Sequence, residues 1–174
     1  MDLEALGNLG DFVGGVAVVV TLIYVAVQIR QNTSQVRLNT ASTQYEGILH
    51  AFDPVYSGEN GPTFLKGLAG QEDLTPDESF VFSLLMTRIF AQFEMSLYHR
   101  DRGSLEQDLF ELHSRMLEVF AHSEGGARWW REFGVLTFGR EFVEHIEQLM
   151  ATPDSPFAVR AREAHERMQG AATS

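Results

Sequence analysis

The amino-acid sequence predicts an all-α fold in which an N-terminal transmembrane helix continues into a helical bundle domain. Three observations favour this class. Residues 12–29 form an uncharged apolar stretch, apolar residues elsewhere recur mostly at three- and four-residue steps, and no stretch alternates clearly with a period of two. The first pattern is typical of a membrane-spanning helix, the second of amphipathic helices, and the third argues against β-strands.

The apolar stretch, FVGGVAVVVTLIYVAVQI, contains 18 residues. As a helix it would be about 27 Å long, which is close to the thickness of a hydrocarbon core. A cleaved signal peptide is disfavoured, because Asp2, Glu4 and Asp11 stand where such peptides carry basic residues. A buried helix of a soluble protein stays open as an alternative, since this length is near the lower bound for a span. We therefore predict an N-terminal segment 1–29 with a transmembrane helix at about 12–29.

Charges on either side of this stretch predict its orientation. No Lys or Arg precedes it, whereas Arg30 and Arg37 follow it. Positively charged flanks tend to stay in the cytoplasm. The N-terminus is therefore expected outside, and the domain formed by residues 30–170 is expected in the cytoplasm.

Gly10 and Gly14 form a G-x-x-x-G motif at the start of the apolar stretch. Small residues four positions apart let two membrane helices approach closely, so these two glycines are candidates for helix–helix association. The alternative is that lipid simply tolerates glycine here.

The first helix is expected to continue from about Leu9 to Phe52, because residues 30–52 contain no proline. One apolar stripe is predicted along this continuation: Val36, Ala41, Tyr45, Ile48, Leu49 and Phe52. Either the bundle or a second copy of the chain must cover this stripe, and together with the G-x-x-x-G motif it predicts a homo-oligomer. Asp53-Pro54 should end the helix, with a loop over 53–62 and a helical turn near 64–68.

A strong start signal then opens the next long helix. Thr75, Pro76 and Glu78 supply an N-cap, a first-turn proline and the acid of a capping box. This helix should run to about Tyr98 and end in a turn at residues 100–103. Its predicted apolar face is Phe82, Leu85, Met86, Ile89, Phe90, Phe93 and Leu97.

Ser104 with Gln107 predicts a second capped helix, which Gly125-Gly126 should end. Its expected apolar residues are Leu105, Leu109, Leu112, Met116, Val119 and Phe120, which leaves His113 at the surface or boundary. Helical positions one apart point about 100° apart. We therefore expect one of Trp129 and Trp130 in the core and the other at an edge.

The C-terminal region contributes the last helices. One is predicted over Phe138 to Met150, and Ser155-Pro156 should start another that runs to about Gln169. Residues 171–174 are expected to form a frayed tail.

Composition excludes several classes of function. The net charge is −11, which argues against nucleic-acid binding because phosphates are neutralised by clustered Lys and Arg. The chain has no cysteine, so disulfides, thiolate catalysis and cysteine-based metal sites are impossible.

No catalytic residue or cofactor is predicted. The Glu-x-x-His and H-E-x-x-H metal motifs are absent, and so are nucleotide-binding glycine loops. Glu141 and His145 lie one turn apart on a predicted helix and are the nearest candidate metal-binding pair. The simpler interpretation is a solvated helix face.

Glu94 is a candidate for a buried polar site, because it neighbours Phe90, Phe93 and Leu97 on one helix. A buried carboxylate needs a partner or a raised pKa. A salt bridge or hydrogen bond to another helix is the structural alternative.

The opening residues, LEALGNLGDFVGGVAVVVTLIYVAVQIRQNT, resemble those of a large group of small, uncharacterised bacterial proteins. That group shares an L-G-x-x-G…TLIY-x-A-x-Q-I-R anchor, and the later WW segment with FGREFVEHI is similar too. The resemblance implies a bacterial inner-membrane protein with a helical domain, and it implies no catalytic residues.

Two functional hypotheses follow. The first is a non-enzymatic, membrane-anchored module that self-associates or binds a partner protein of unknown identity. The alternative is a small-molecule sensor or enzyme with a site inside the aromatic-rich bundle. A cavity lined by Phe residues and converging polar groups would favour the second, and a filled interior the first.

Overall fold

The computed structural model describes residues 3–70, 74–152 and 155–160, together with Glu163 and Arg167. All regular structure in these residues is helical, which confirms the all-α prediction. The helices are α1 (Leu3–Ala51), α2 (Asp53–Tyr56), α3 (Asn60–Leu68), α4 (Pro76–Asp101), α5 (Gln107–Ala121), α6 (Glu124–Trp129), a π-helix (Trp130–Gly134), α7 (Val135–Thr137), α8 (Arg140–Ala151) and a short α9 over 156–160.

The chain divides into two compact units, Met1–Asn39 and Thr40–Ser174. Unit 1 is formed by the N-terminal part of α1, which carries the apolar stretch. Unit 2 is the helical bundle, and its first element is the remainder of α1 from Thr40.

Helix α4 is the central helix of the bundle, and it begins at the predicted capping box. The Thr75 side chain accepts a hydrogen bond from the Glu78 backbone N–H, and the Glu78 carboxylate accepts one from the Thr75 N–H. All seven residues of the predicted apolar face are buried in the core. The helix continues through Asp101, three residues beyond the predicted end, so only Arg102 and Gly103 of the predicted turn lie outside it.

The loop predicted over 53–62 is wrong, because helices α2 and α3 occupy most of it. Pro54 lies in the first turn of α2, where a missing N–H costs nothing. Pro54 and Pro62 therefore lie in the first turns of two helices, and only residues 57–59, with Gly58 at positive φ, connect them.

Two predicted boundaries near α5 and α6 are also wrong. Ser104 does not cap α5; its hydroxyl donates to the His99 carbonyl instead, and α5 begins at Gln107. Gly125 and Gly126 do not end a helix but lie inside α6, where Ser123 accepts the Gly126 N–H. An added Cβ on Gly125 would lie 1.6 Å from the Gly67 carbonyl oxygen, so glycine permits the contact between α6 and α3.

The stripe predicted along the end of α1 is split between two faces. Ile48 and Phe52 are buried in the bundle, whereas Tyr45 and Leu49 are each 50% exposed. The bundle itself therefore covers the inward half of this stripe, and no second copy is needed there. The α5 stripe is confirmed in part, because Leu105 is buried and Leu109, Met116 and Phe120 pack against the core. It is wrong at Leu112, which is exposed, while His113 faces the core.

An aromatic cluster forms part of the core of the bundle. Both tryptophans are buried, so the prediction of one edge residue is wrong. The Trp130 ring stacks on Phe138 with 5.9 Å between centroids, and its N–H donates to Glu147. The Trp129 N–H donates to the Ser83 hydroxyl at 2.8 Å. The π-helix begins at Trp130, where the changed turn lets neighbouring rings enter the same core.

Helix α9 begins as predicted at Ser155-Pro156. The Ser155 hydroxyl accepts the Ala158 N–H, and Ala158 is buried. Buried Glu118 of α5 accepts both the backbone N–H and the hydroxyl of Ser155, which fixes the start of α9. The predicted helix end at Gln169 and the predicted tail 171–174 lie outside the described residues.

Candidate functional site

The first candidate is the apolar stretch of unit 1. An 18-residue window of this helix has a mean hydropathy of 2.4, and none of it is buried. Its large apolar side chains between Phe12 and Ile29 are 42% to 69% exposed. The helix is therefore long and apolar enough to cross a membrane. Helix α4 passes the same length and composition test, but 44% of its window is buried within the bundle.

Gly10 and Gly14 lie on an open surface of this helix. An added Cβ at either position would meet nothing within 4 Å, and the same holds for Gly15. Polar groups in the stretch bond locally: the Thr21 hydroxyl donates to the Ala17 carbonyl, and the Gln28 amide donates to the Tyr24 hydroxyl at 2.7 Å. The two glycines thus leave space that nothing in their own unit fills.

A buried chain of polar side chains in unit 2 is the second candidate. The side-chain oxygen of Gln44 (Oε1) accepts a hydrogen bond from the side-chain amide of Gln92 at 3.1 Å and one from the Ser96 hydroxyl at 3.2 Å. The same Ser96 oxygen lies 3.1 Å from His113 Nδ1. Gln44, Ser96 and His113 are all buried. The chain therefore joins α1, α4 and α5 through the interior of the bundle.

This chain ends at a narrow void between α4, α5 and α8. The lining residues are Phe93, Ser96, Phe110, His113, Ser114, Leu117, Phe142 and His145. Its unfilled space is about 170 Å³, and none of that space is wide enough for a water molecule. Three buried atoms at this void make no hydrogen bond: His113 Nε2, Ser114 Oγ and His145 Nε2.

Burial sets the charge state of both histidines at the void. It lowers the pKa of His113, whose ring is removed from water with no acid beside it. The pKa of His145 is lowered first by burial and then by the positive charge of Arg100, while Asp101 acts in the opposite direction. Both imidazoles are therefore held neutral at physiological pH.

Glu94 has a structural role at the start of α8. Its carboxylate accepts the Gly139 N–H at 2.8 Å, which satisfies a backbone donor at the helix N-terminus. The residue is partly buried, and it borders an open groove of about 430 Å³ with Tyr98 and Arg140. Glu94 therefore makes a hydrogen bond to another helix, which is the structural alternative given above.

Glu141 and His145 are not brought together as a metal site. Glu141 is exposed, whereas the His145 ring packs against Phe110 with 5.5 Å between centroids. Among the described residues, no group of three or more His, Asp or Glu side chains is placed to hold a metal ion.

A second open groove, of about 460 Å³, lies between α3, α4 and α6. Phe82, Trp129 and Phe133 contribute apolar walls, and Arg128 and Glu132 contribute charges. Arg128 is already engaged, because its guanidinium donates to the Gly70 carbonyl and to the Glu124 carboxylate. The guanidinium of Arg128 is therefore occupied by the protein itself, which leaves Glu132 as the other charged side chain of the groove.

Sequence reasoning missed the polar chain and the void. The available signal was weak: Ser96 falls between Phe93 and Leu97 on the apolar face of α4, and His113 lies three residues after Phe110. Both positions belong to apolar faces, so a polar residue there needs an internal partner.

No family model, no curated protein and no solved structure matches this chain.

Proposed function

We propose that this chain is a single-pass membrane protein whose N-terminal helix both anchors a helical bundle and associates with a second copy. The observation that carries the proposal is the apolar stretch in unit 1, exposed around its whole circumference. Exposed apolar patches of this size are rare on soluble monomers, and lipid would cover every face of the helix at once.

Charge and resemblance support a bacterial inner membrane with the bundle in the cytoplasm. Asp11 precedes the stretch, and Arg30 and Arg37 follow it. A reporter fused after Ser174 is expected to behave as cytoplasmic. Activity of a periplasmic phosphatase at that position would reverse the orientation.

Membrane insertion is tested by fractionation of the full chain after alkaline carbonate extraction. The intact protein is expected to stay with membranes, and removal of residues 1–29 is expected to release it. A matched pair sharpens the test, because Leu22 and Leu38 are exposed to similar extents, 63% and 68%. Leu22→Asp should lower the membrane fraction, since an acid at mid-membrane costs about 3 kcal/mol. Leu38→Asp lies outside the apolar stretch and should leave the membrane fraction unchanged. A soluble wild-type monomer without detergent would reject the anchor.

Self-association is supported by a seam of small and polar residues on the anchor. Their spacing alternates between four and three residues along one face: Gly10, Gly14, Ala17, Thr21, Tyr24 and Gln28. This repeat of 3.5 residues is the spacing at which two helices pack in a left-handed pair, and small residues are enriched at such interfaces in membranes. The other faces carry mainly Val, Leu and Ile.

Gln28 adds a polar reason for pairing. Its amide nitrogen donates to Tyr24, but its carbonyl oxygen accepts no hydrogen bond from any described residue. An unsatisfied polar group in lipid costs free energy. In a parallel pair with two-fold symmetry the same residues face each other, so the partner's Gln28 amide would supply the missing donor.

Crosslinking in membranes tests the seam, and Gly15 provides a matched control. Gly10→Leu with Gly14→Leu is expected to reduce the crosslinked dimer, because bulk at these positions keeps the backbones apart. Gly15→Leu adds one leucine off the seam and should leave the dimer intact, and each single variant on the seam provides the comparison of equal bulk. Equal crosslinking in all three proteins, or only monomer in wild type, would contradict anchor-driven association.

The interior of the bundle favours this module over a sensor or enzyme with an internal site. A pocket for a drug-sized ligand typically encloses about 300–1,000 Å³. The void at His113 and His145 is smaller and admits no water molecule. A mass measurement of the detergent-solubilised protein with native ligands retained separates the two hypotheses, because a bound small molecule would support the alternative.

A further inference from the structure

The void between α4, α5 and α8 is too narrow for a bound ligand, so the species that can change its state is a proton. His113 and His145 meet there, and the void lining contains no Asp, Glu, Lys or Arg. Each ring has a buried Nε2 atom without a hydrogen-bond partner. The two rings therefore face one narrow space with unpaired nitrogen atoms.

Hydrogen bonds at the other ring nitrogen of His113 show what protonation would do. Ser96 has one hydroxyl proton and three acceptors within reach: the Gln44 side-chain oxygen, the Gln92 carbonyl and His113 Nδ1. If the Ser96 hydroxyl donates to Gln44 or Gln92, the Nδ1–H of His113 donates to Ser96 and Nε2 is unprotonated. If the Ser96 hydroxyl donates to Nδ1 of His113, the ring proton is on Nε2. In both cases a second ring proton leaves an N–H without an acceptor.

The neighbouring elements offer no charge that would compensate. On α4 the void is lined by Phe93 and Ser96, on α5 by Phe110, Ser114 and Leu117, and on α8 by Phe142. The charged groups that act on His145 are Arg100 and Asp101 at the end of α4, with opposite signs. The pKa of His113 is lowered by burial, and no charged residue among those described contributes to that shift.

We propose that the bundle is acid-sensitive and opens along the packing of α5 and α8 on α4 when His113 and His145 take up protons. A charged imidazole without an acceptor is strongly disfavoured in an apolar void. The protons come from solvent, and they can be accommodated only when the rings reach water. Because His113 bonds Ser96, and Ser96 bonds Gln44, the opening would also break the polar chain that joins α4 and α5 to the end of α1.

The sign of the effect follows from the direction of the shifts. Burial lowers the pKa of both rings in the folded state, so the unfolded or opened chain binds protons first as the pH falls. The free energy of unfolding has its full value above the ordinary histidine pKa of about 6.5. The part of it that depends on the two neutral rings is lost progressively as the pH falls from about 6.5 through the folded-state pKa.

Two readouts on the full-length protein in lipid nanodiscs test the proposal. The first is an NMR titration of the histidine ring signals. The His113 and His145 rings are expected to take up protons at a lower pH than an ordinary histidine and to titrate together with a change in the amide signals of α5 and α8. Ordinary titration near pH 6.5 with unchanged amide signals would overturn the proposal.

The second readout is hydrogen exchange of the α5 and α8 amides, corrected for the intrinsic pH dependence. Opening should increase by up to about tenfold for each ring between pH 7.5 and 5.5, because an opened ring with the ordinary pKa of about 6.5 takes up a proton over this range while burial disfavours protonation of the folded ring. His113→Gln with His145→Gln should abolish that increase, whereas the exposed His50→Gln should retain it. If the double variant shows the same increase in exchange, the acid sensitivity comes from carboxylates, and the proposal is overturned. If the double variant does not fold, the wild-type titration alone decides.

Discussion

Gly125 tests whether backbone contact between α3 and α6 limits the stability of the bundle. An alanine Cβ there would lie 1.6 Å from the Gly67 carbonyl oxygen and 2.7 Å from its carbon. Both are backbone atoms, so no side-chain rotation relieves the overlap. The two helices must instead move apart until ordinary contact at 3.4 Å is restored.

The expected net loss combines two opposing effects. Overpacking in a filled core costs about 1–3 kcal/mol, and contact with immobile backbone places this case near about 3. Alanine is favoured over glycine inside a helix by about 1 kcal/mol. Gly125→Ala should therefore lower the free energy of unfolding by about 2 kcal/mol, and the sign shows that packing outweighs helix propensity here.

Urea unfolding of the full chain in detergent, followed by far-UV circular dichroism, measures this loss. With a slope of about 2 kcal/mol per molar urea, the midpoint should fall by about 1 M. Gly139→Ala is the matched control, because its Cβ would meet only the movable end of Glu94 at 3.1 Å. It should cost less than about 1 kcal/mol. An unchanged midpoint for Gly125→Ala, or an equal loss in the control, would refute the reasoning.

Two further predictions concern helix starts. Thr75→Ala should lower the stability of the bundle by about 1 kcal/mol in thermal melting, whereas Glu78→Gln, which preserves the capping-box pattern, should cost less. Glu118→Ala and Ser155→Ala should each increase hydrogen exchange in residues 156–160, and their double-mutant cycle should give a coupling of at least about 1 kcal/mol. Additive effects would show that Glu118 and Ser155 act independently.

The local signals in the sequence predicted the elements that local physics controls. The capping box at Thr75 and the apolar face of α4 depend on residues within a few turns of one another, and both are confirmed. The core role of His113 could not be predicted this way. Its partner Ser96 lies 17 positions earlier, and Gln44 lies 52 positions before Ser96, so only the tertiary arrangement brings them together.

Glycine was misinterpreted for a related reason. Gly125-Gly126 lowers intrinsic helix preference, which predicts a break. In the folded chain, tertiary contact reverses the preference, because a side chain at Gly125 would collide with α3. The predicted apolar stripe of α5 was wrong at one position for a similar reason. Treating His113 as polar moved the predicted apolar stripe onto Leu112, although the imidazole occupies the core position.

The placement of the two tryptophans has a practical consequence for spectroscopy. The chain contains only Trp129 and Trp130, and both lie in the aromatic cluster of unit 2. Light absorbed at the red edge of the protein spectrum is therefore taken up in this aromatic cluster, and the emission from it reports the core of unit 2 alone. Residues 1–39 contribute no such signal. Insertion of the anchor can therefore proceed without any change in intrinsic emission, so following it requires an added fluorophore.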